Sequence, residues 1–149
     1  MAIEKFIEDI KNKFPENIRN TEIINKKRLM VYIDADALLR VSEYLFHDLG
    51  YRYVILSAMD SKAGYEIIYH FSDDATGWIV NLNVVIPRDN PEIESLVPVV
   101  KGAEWIEREI HDIIGIKFRN HPNLKRFILA ESWEEGNYPY RRGNNQEKK

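Results

Sequence analysis

The sequence predicts an α+β fold, a two-layer sandwich with helices on one face of a mixed or antiparallel sheet. Helical and strand-like hydrophobic patterns follow one another in the order helix, two strands, helix, three strands, helix, and turn residues separate them. The 149 residues are enough for one domain with its own core. We therefore assign residues 1–115 to an α+β domain and residues 116–149 to an extended C-terminal docking segment and tail.

The first helix is predicted from apolar residues at helical spacing between Ile3 and Phe14, and Pro15 ends it. Residues 18–24 and 28–33 read as two short strands around a polar break. The second of them is apolar on both faces, which is typical of an interior strand.

The second helix has Asp34 or Asp36 as its predicted N-cap and ends at Gly50. Its buried stripe is Leu38, Val41, Leu45 and Leu49. The three strands that follow are Tyr51–Met59, Tyr65–Phe71 and Trp78–Ile86. The Asp-Asp-Ala-Thr-Gly break before the last strand has the composition of a hairpin turn.

The third helix is predicted to run from Ala103 to Ile114, followed by an irregular segment. The inner face of the helix is Ala103, Ile106, Ile110, Ile113 and Ile114, and the later apolar anchors are Ile116, Phe118, Leu124, Phe127 and Ile128. After Trp133 the chain becomes polar, ending in Arg141, Arg142, Asn144, Asn145, Lys148 and Lys149. We expect a solvated tail there, or one ordered only by a partner.

Composition excludes several classes of function. A net charge of −3 does not favour binding to nucleic acid, which needs an excess of Lys and Arg. The absence of cysteine excludes disulfides, thiolate zinc sites and iron–sulfur clusters held by this chain. No membrane span or signal peptide is recognised, so we expect a cytoplasmic protein that meets a membrane only through a partner.

The third helix carries a dense charged cluster, made of Glu107, Arg108, Glu109, His111 and Asp112. The spacing of Glu104, Arg108 and Asp112 allows an ion-pair ladder along a solvated face, where each pair contributes only about 0.3–0.5 kcal/mol. Trp105 lies on the same polar side, and an exposed indole beside charges is typical of an interface.

A stand-alone enzyme is the alternative, with Glu107, His111 and Asp112 as an acid–base or metal cluster. The spacing supplies only half of a known helical metal motif, and the sequence has no nucleophile elbow or phosphate-binding glycine loop. A free-standing binding module is a further alternative. The sequence therefore predicts no catalytic, cofactor-binding or metal-binding residue in this chain.

Residues 121–126 (HPNLKR) form either a surface loop or a docking element. In a docking element, Leu124 and Phe127 fix the position of the loop while Lys125 and Arg126 meet acidic groups on a neighbouring protein.

Three runs together resemble a known family. They are Ala103-x-Trp105-x-Glu107-Arg108-Glu109, Asp112-x-x-Gly115-Ile116-x-Phe118 and His121-Pro122-x-Leu124-Lys125-Arg126. They are similar to the signature of the thirty-kilodalton subunit of respiratory complex I, a module shared with membrane-bound nickel–iron hydrogenases and related archaeal complexes.

The resemblance implies a cofactor-free subunit on the cytoplasmic side of an ion-translocating membrane redox complex. Its partners would be the large catalytic subunit, of quinone-site or nickel–iron type, and the iron–sulfur subunits that hold the cofactors. The signature and docking positions would be Trp105, Glu107, Arg108, Glu109, Asp112, Gly115, His121, Pro122, Leu124, Lys125 and Arg126.

The chain departs from the family pattern at three places. His111 stands where the family often has an aromatic or bulky residue, and Phe127 replaces the usual aliphatic residue. Residues 139–142 (PYRR) match only part of the family's ending, and the chain is short for a bacterial member. These departures favour a hydrogenase-type or archaeal relative, with a subunit of a standard NADH:quinone oxidoreductase as the alternative.

Overall fold

The computed structural model describes residues 2–143. Its main sheet has five strands: β1 (Ile18–Asn25), β2 (Arg28–Ile33), β3 (Arg52–Ser61), β4 (Gly64–Asp73) and β5 (Trp78–Ile86). Their order is β1-β2-β5-β4-β3, with β2 and β5 parallel and the other pairs antiparallel. The predicted mixed sheet is confirmed, and β2 is the interior strand that its apolar sequence indicated.

The helices pack on one face of this sheet, as predicted. They are α1 (Ile3–Lys13), α2 (Leu38–Glu43, between a 3₁₀ turn at Ala35–Ala37 and a π turn at Tyr44–Asp48) and α3 (Glu104–Ile114). Phe6, Leu38 and Ile110 from the helices share one core with Val80 and Leu82 of β5. The α+β two-layer fold is therefore confirmed.

The predicted N-cap of the second helix is wrong in its chemistry. Asp34 stands at the N-cap of the 3₁₀ turn, but its carboxylate makes no capping hydrogen bond. It accepts two hydrogen bonds from Arg19 instead, at 2.6 and 2.7 Å. The antiparallel pairing of β1 with β2 brings these residues together, and the bidentate pair with Arg19 occupies the carboxylate that would otherwise cap the turn.

A second, small sheet, which was not predicted, joins the chain segments before and after α3. It pairs β6 (Glu92–Glu94) in parallel with β7 (Lys117–Arg119), and the opposed Ile93 and Phe118 are both buried. The segment after Gly115, which was expected to be irregular, therefore begins with a short strand. Over residues 2–143, none of the helices has the length and apolar character needed to cross a membrane.

Candidate functional site

Glu107 lies inside the domain and not on a charged outer face. Its side chain is fully buried, because position 107 continues the inner stripe of Ala103, Ile110 and Ile114. The Ser95 hydroxyl donates to Oε2 and the Leu96 N–H donates to Oε1, each at 2.6 Å. Burial raises the pKa of Glu107 to about 7, although both hydrogen bonds act to lower it.

His121 fixes the start of the following loop against the N-terminal end of α3. The Asn123 N–H donates to Nδ1 at 2.9 Å, so Nε2 carries the proton. That nitrogen donates to the Glu104 carbonyl at 2.9 Å and lies 3.9 Å from Oε2 of Glu107. Pro122 is exposed at the bend between these two contacts.

Arg108 does not form the predicted ion-pair ladder. Its Nε and Nη2 donate to the carbonyl oxygens of Lys125 and Arg126, both at 3.2 Å. Its guanidinium also lies over the Phe127 ring, 4.6 Å from the centroid. Because the C-terminal segment folds back along α3, backbone acceptors replace the carboxylates as partners of Arg108.

Asp112 binds the same segment one turn further along the helix. Its Oδ2 accepts hydrogen bonds from three successive backbone N–H groups at residues 127–129, at 2.8, 2.9 and 3.2 Å. Burial would raise the pKa of Asp112, but the three donors bring it below its ordinary value. The carboxylate therefore orders the backbone of the segment.

Lys125 and Arg126, predicted together as docking cations, have different roles. Nη1 of Arg126 donates to the carbonyl oxygens of Ala130, Glu131 and Trp133, at 2.7, 3.2 and 2.8 Å. Arg126 thus closes its own loop. Lys125 is exposed, and within residues 2–143 its ammonium makes no hydrogen bond or ion pair.

Gly115 ends α3 and leaves room for the end of the chain. Its φ of +82° favours glycine, and a Cβ atom there would lie 2.5 Å from the Tyr138 ring. Beside it the Arg141 Nε donates to the Ile114 carbonyl at 2.5 Å, and the Tyr140 N–H donates to the Ile113 carbonyl at 3.0 Å.

The expected solvated or partner-dependent tail is therefore wrong as far as Gly143, because this part of the chain binds its own domain. Asn144, Asn145, Lys148 and Lys149 lie outside the described residues.

An exposed apolar surface remains on this framework. Trp105 is 66% exposed, as predicted, and its ring centroid lies 6.0 Å from that of Phe127. Phe127 and Ile128, predicted as buried anchors, are 42% and 48% exposed, because Asp112 holds them by their backbone. We call Trp105, Lys125, Phe127 and Ile128 the α3 patch. Of the predicted apolar anchors after α3, Ile116 and Phe118 are buried in the core and Leu124 packs against it.

The structure gives the proposed enzymatic residues separate partners. Glu107 binds Ser95 and Leu96, Asp112 binds the C-terminal segment, and His111 Nδ1 donates to the Ile116 carbonyl at 2.8 Å. Within residues 2–143 no three His, Asp or Glu side chains are placed to hold a metal ion. Glu109 is half-buried on α3.

Sequence comparison identifies relatives of this chain. Residues 31–149 match the family described as respiratory-chain NADH dehydrogenase, 30 Kd subunit. The chain is 35% identical over 145 residues to a subunit of the F(420)H(2) dehydrogenase of Methanosarcina mazei, covering 95% of this chain and 91% of that one. It is 28% identical over 127 residues to a subunit of the NADH-quinone oxidoreductase of Streptomyces coelicolor, covering 80% of this chain and 51% of the relative.

Two solved structures share the fold. A chain of an archaeal membrane-bound sulfane sulfur reductase superposes with a TM-score of 0.83 at 23% identity, covering 95% of this chain and 84% of that one. A trypsin-resistant fragment of Nqo5 gives a TM-score of 0.68 at 19% identity, covering 83% of this chain and all of the fragment. With the predicted resemblance thus confirmed, the chain belongs to the respiratory-chain NADH dehydrogenase 30 kDa subunit family, whose members are subunits of complex I-like oxidoreductase complexes.

Proposed function

We propose that this chain is a non-catalytic docking subunit in the peripheral arm of a complex I-like, ion-translocating membrane redox complex of the archaeal or hydrogenase type. Its near full-length similarity to an F(420)H(2) dehydrogenase subunit supports that type. In this proposal it binds and stabilises the large catalytic subunit, of quinone-site or nickel–iron type. The iron–sulfur subunits hold the clusters, and the chain reaches the cytoplasmic side of the membrane through these partners.

The α3 patch is the observation that carries this proposal. An indole that is 66% exposed beside a second aromatic ring is the composition of an interface centre, where tryptophan often contributes more than about 2 kcal/mol. Hydrogen bonds that Arg108 donates and Asp112 accepts already order the backbone below the patch. Binding there loses little conformational entropy, because the patch is preorganised.

The internal hydrogen bonds of the signature residues support a structural role for them. The side chains of Glu107, Asp112 and His121 have partners within the chain, and so have Arg108 and Arg126. They hold the patch in place, while Trp105 and Lys125 remain for the partner.

Co-purification tests the proposal. The tagged native protein, recovered from membranes in mild detergent, should bring a large redox subunit and iron–sulfur subunits with it. Trp105→Glu should lower that recovery by about 30-fold, the loss that corresponds to about 2 kcal/mol. Lys125→Glu should lower the recovery less, since an exposed charge at the rim of an interface contributes little to the binding free energy.

Ile23→Glu is the matched control for Trp105→Glu. Ile23 is 50% exposed and lies on β1, at the sheet edge opposite β3, against which α3 packs. Its variant should be recovered with the same subunits as the native protein. The proposal fails if the native protein brings no large redox subunit, and the patch assignment fails if Trp105→Glu and Ile23→Glu behave alike.

A further inference from the structure

The main sheet has a face that the helices do not cover. Along β5, Val80, Leu82 and Val84 are fully buried in the core that the helices share. Because side chains alternate across a strand, the residues between them point to the opposite face. We call this opposite side the open face. Val85 lies on the open face and is 41% exposed to solvent.

The open face carries an unusual amount of apolar surface. An antiparallel sheet that meets water on one side normally alternates apolar residues with polar ones. Here Ile55 and Met59 of β3 are each 45% exposed on that side. The apolar side chains of the open face are Met30, Ile55, Met59, Ile68, Ile79 and Val85. In register, polar residues stand between these side chains, such as Glu66 between Met59 and Val85, so the face combines exposed apolar groups with polar ones.

A buried hydrogen-bond acceptor lies at the centre of this apolar surface. Asn83 is only 5% exposed, and its Oδ1 has no partner among the described residues. The neighbouring Asn81 shows the contrast, because its Oδ1 accepts from His70 Nδ1 at 2.6 Å and its Nδ2 donates to the Leu29 carbonyl at 2.9 Å. Buried acceptors are nearly always satisfied, so Asn83 is an unusual polar group on this face. Its oxygen is itself enclosed, so a partner would meet the side chains around it and not the oxygen.

Two carboxylates give the same region a negative charge. In register, Glu66 lies between Met59 and Val85, and within residues 2–143 it has no ion-pair partner. Glu22 accepts a hydrogen bond from the Tyr32 hydroxyl at 3.3 Å. Burial and the charges of Glu22 and Glu66 together raise the pKa of Tyr32, so both carboxylates act on the side chain that pairs with Asn83.

The cationic groups of this face do not neutralise Glu66. Arg28 pairs with Ile79, at the end of β5 opposite Val85, which is about 20 Å away along the strand. Arg52, in register with Ser72, binds Asp74 at 2.8 Å. His70 is held by two contacts on this face: its Nδ1 donates to Asn81 Oδ1, and its Nε2 lies 2.7 Å from the Ser57 hydroxyl. The open face therefore combines exposed apolar side chains with a carboxylate, Glu66, that has no ion-pair partner within residues 2–143.

We propose that the open face is a second docking surface, for a protein partner that presents an arginine or lysine among aliphatic side chains. The cation would lie against Glu66, and the aliphatic groups would cover Met59 and Val85 on either side of it. This goes beyond the role of the α3 patch, because the open face is on the other side of the sheet from α3. An anionic membrane surface does not fit, since it would repel the two carboxylates.

Photo-crosslinking in the native complex tests the proposal. Met59 is replaced by benzoylphenylalanine, the complex is purified from membranes, and the crosslinked peptide is identified by mass spectrometry. We expect a peptide of a different subunit that contains an arginine or lysine between aliphatic residues. Glu66→Lys should lower the crosslink about tenfold, and reversing the charge of the identified partner residue should restore it.

Glu8→Lys is the matched control, because Glu8 is exposed on α1, across the sheet from the open face. Glu66→Gln provides a milder variant, and urea unfolding establishes that each variant is folded. A crosslink to lipid, to a second copy of this chain or to no protein overturns the proposal, as does a yield that Glu66→Lys leaves unchanged. An intact complex with no crosslink refutes this inference alone, whereas the absence of any redox partner refutes the proposed function.

Discussion

Replacing Glu107 by glutamine should remove a pH-dependent part of the free energy of unfolding. Burial raises the pKa of this carboxyl from its ordinary value of 4.5 to about 7. The folded protein therefore holds the proton more tightly than the unfolded chain does. This contribution to stability is fully present below pH 4.5 and is lost as the pH rises through 7.

The magnitude follows from the two pKa values. A difference between 4.5 and about 7, at about 1.4 kcal/mol for each pH unit, corresponds to about 3 kcal/mol. Glutamine keeps the size of the side chain and one acceptor for the Leu96 N–H, but it does not titrate. The difference in unfolding free energy, variant minus native, should therefore increase by about 3 kcal/mol between pH 4.5 and pH 8.

Urea unfolding followed by circular dichroism at closely spaced pH values measures this difference. Carboxyls with lowered pKa values, such as Asp60 and Asp112, lose their contribution as the pH falls, but they are common to both proteins and cancel. Glu109→Gln makes the same change at a half-buried position of α3 and should give a nearly constant difference. A difference for Glu107→Gln that is equal at pH 5 and pH 8 would refute the reasoning.

Three further substitutions test how the C-terminal segment is held. Asp112→Ala leaves the three N–H donors of residues 127–129 without their acceptor, so it should destabilise the fold by about 3 kcal/mol in urea unfolding and expose those amides to hydrogen exchange. Gly115→Ala combines a φ of +82° with a steric overlap and should cost about 2 kcal/mol, seen as a lower melting temperature. Arg126→Met removes three carbonyl contacts and should speed proteolysis within residues 130–133 about tenfold.

Matched changes elsewhere separate these effects from general loss of stability. Asp48→Ala removes an exposed carboxylate and should change the unfolding free energy by less than about 0.5 kcal/mol. Lys125→Met removes the exposed cation next to Arg126 and should leave the proteolysis rate unchanged. If Arg126→Met and Lys125→Met are cleaved equally fast, the carbonyl contacts do not hold the loop.

Most of the main sheet could be predicted because its strands follow the period of two closely. The predicted strand Trp78–Ile86 is confirmed at both ends, since a hairpin turn precedes it and Pro87 follows it. The pair β6 and β7 could not be predicted, because each strand has three residues and the pairing joins segments on either side of α3. Such short non-local pairs leave no periodic pattern in the sequence.

The inner face of α3 was only partly predicted, although the sequence contains the helical spacing that defines it. Positions 103, 107, 110 and 114 have ideal helical spacing, but a glutamate at one of them suggested the solvated side. The buried Ser95 and Leu96 donors that make its burial possible precede Glu107 by 12 and 11 residues and lie outside the helix. Only the folded chain shows that they meet Glu107.

The charged signature residues were recognised, but their hydrogen-bond partners could not be predicted from the sequence. Asp112 and Arg108 bind backbone groups, and backbone groups are the same in every sequence. No residue type therefore marked residues 125–129 as their target. The resemblance to a family located the important positions, whereas the physical role of each required the structure.

These contacts separate the holding of the C-terminal segment from the chemistry of its side chains. Arg108 donates to carbonyl groups and Asp112 accepts from N–H groups, so the side chains of Lys125 and Ile128 can change without loss of these backbone contacts. The ring of Phe127 also contacts the Arg108 guanidinium. The shape of the segment is set by α3, and in the proposed docking role the choice of partner would depend on the side chains of the segment. A scaffold built in this way can acquire a new partner by substitutions at two or three surface positions, while its own folding stays intact.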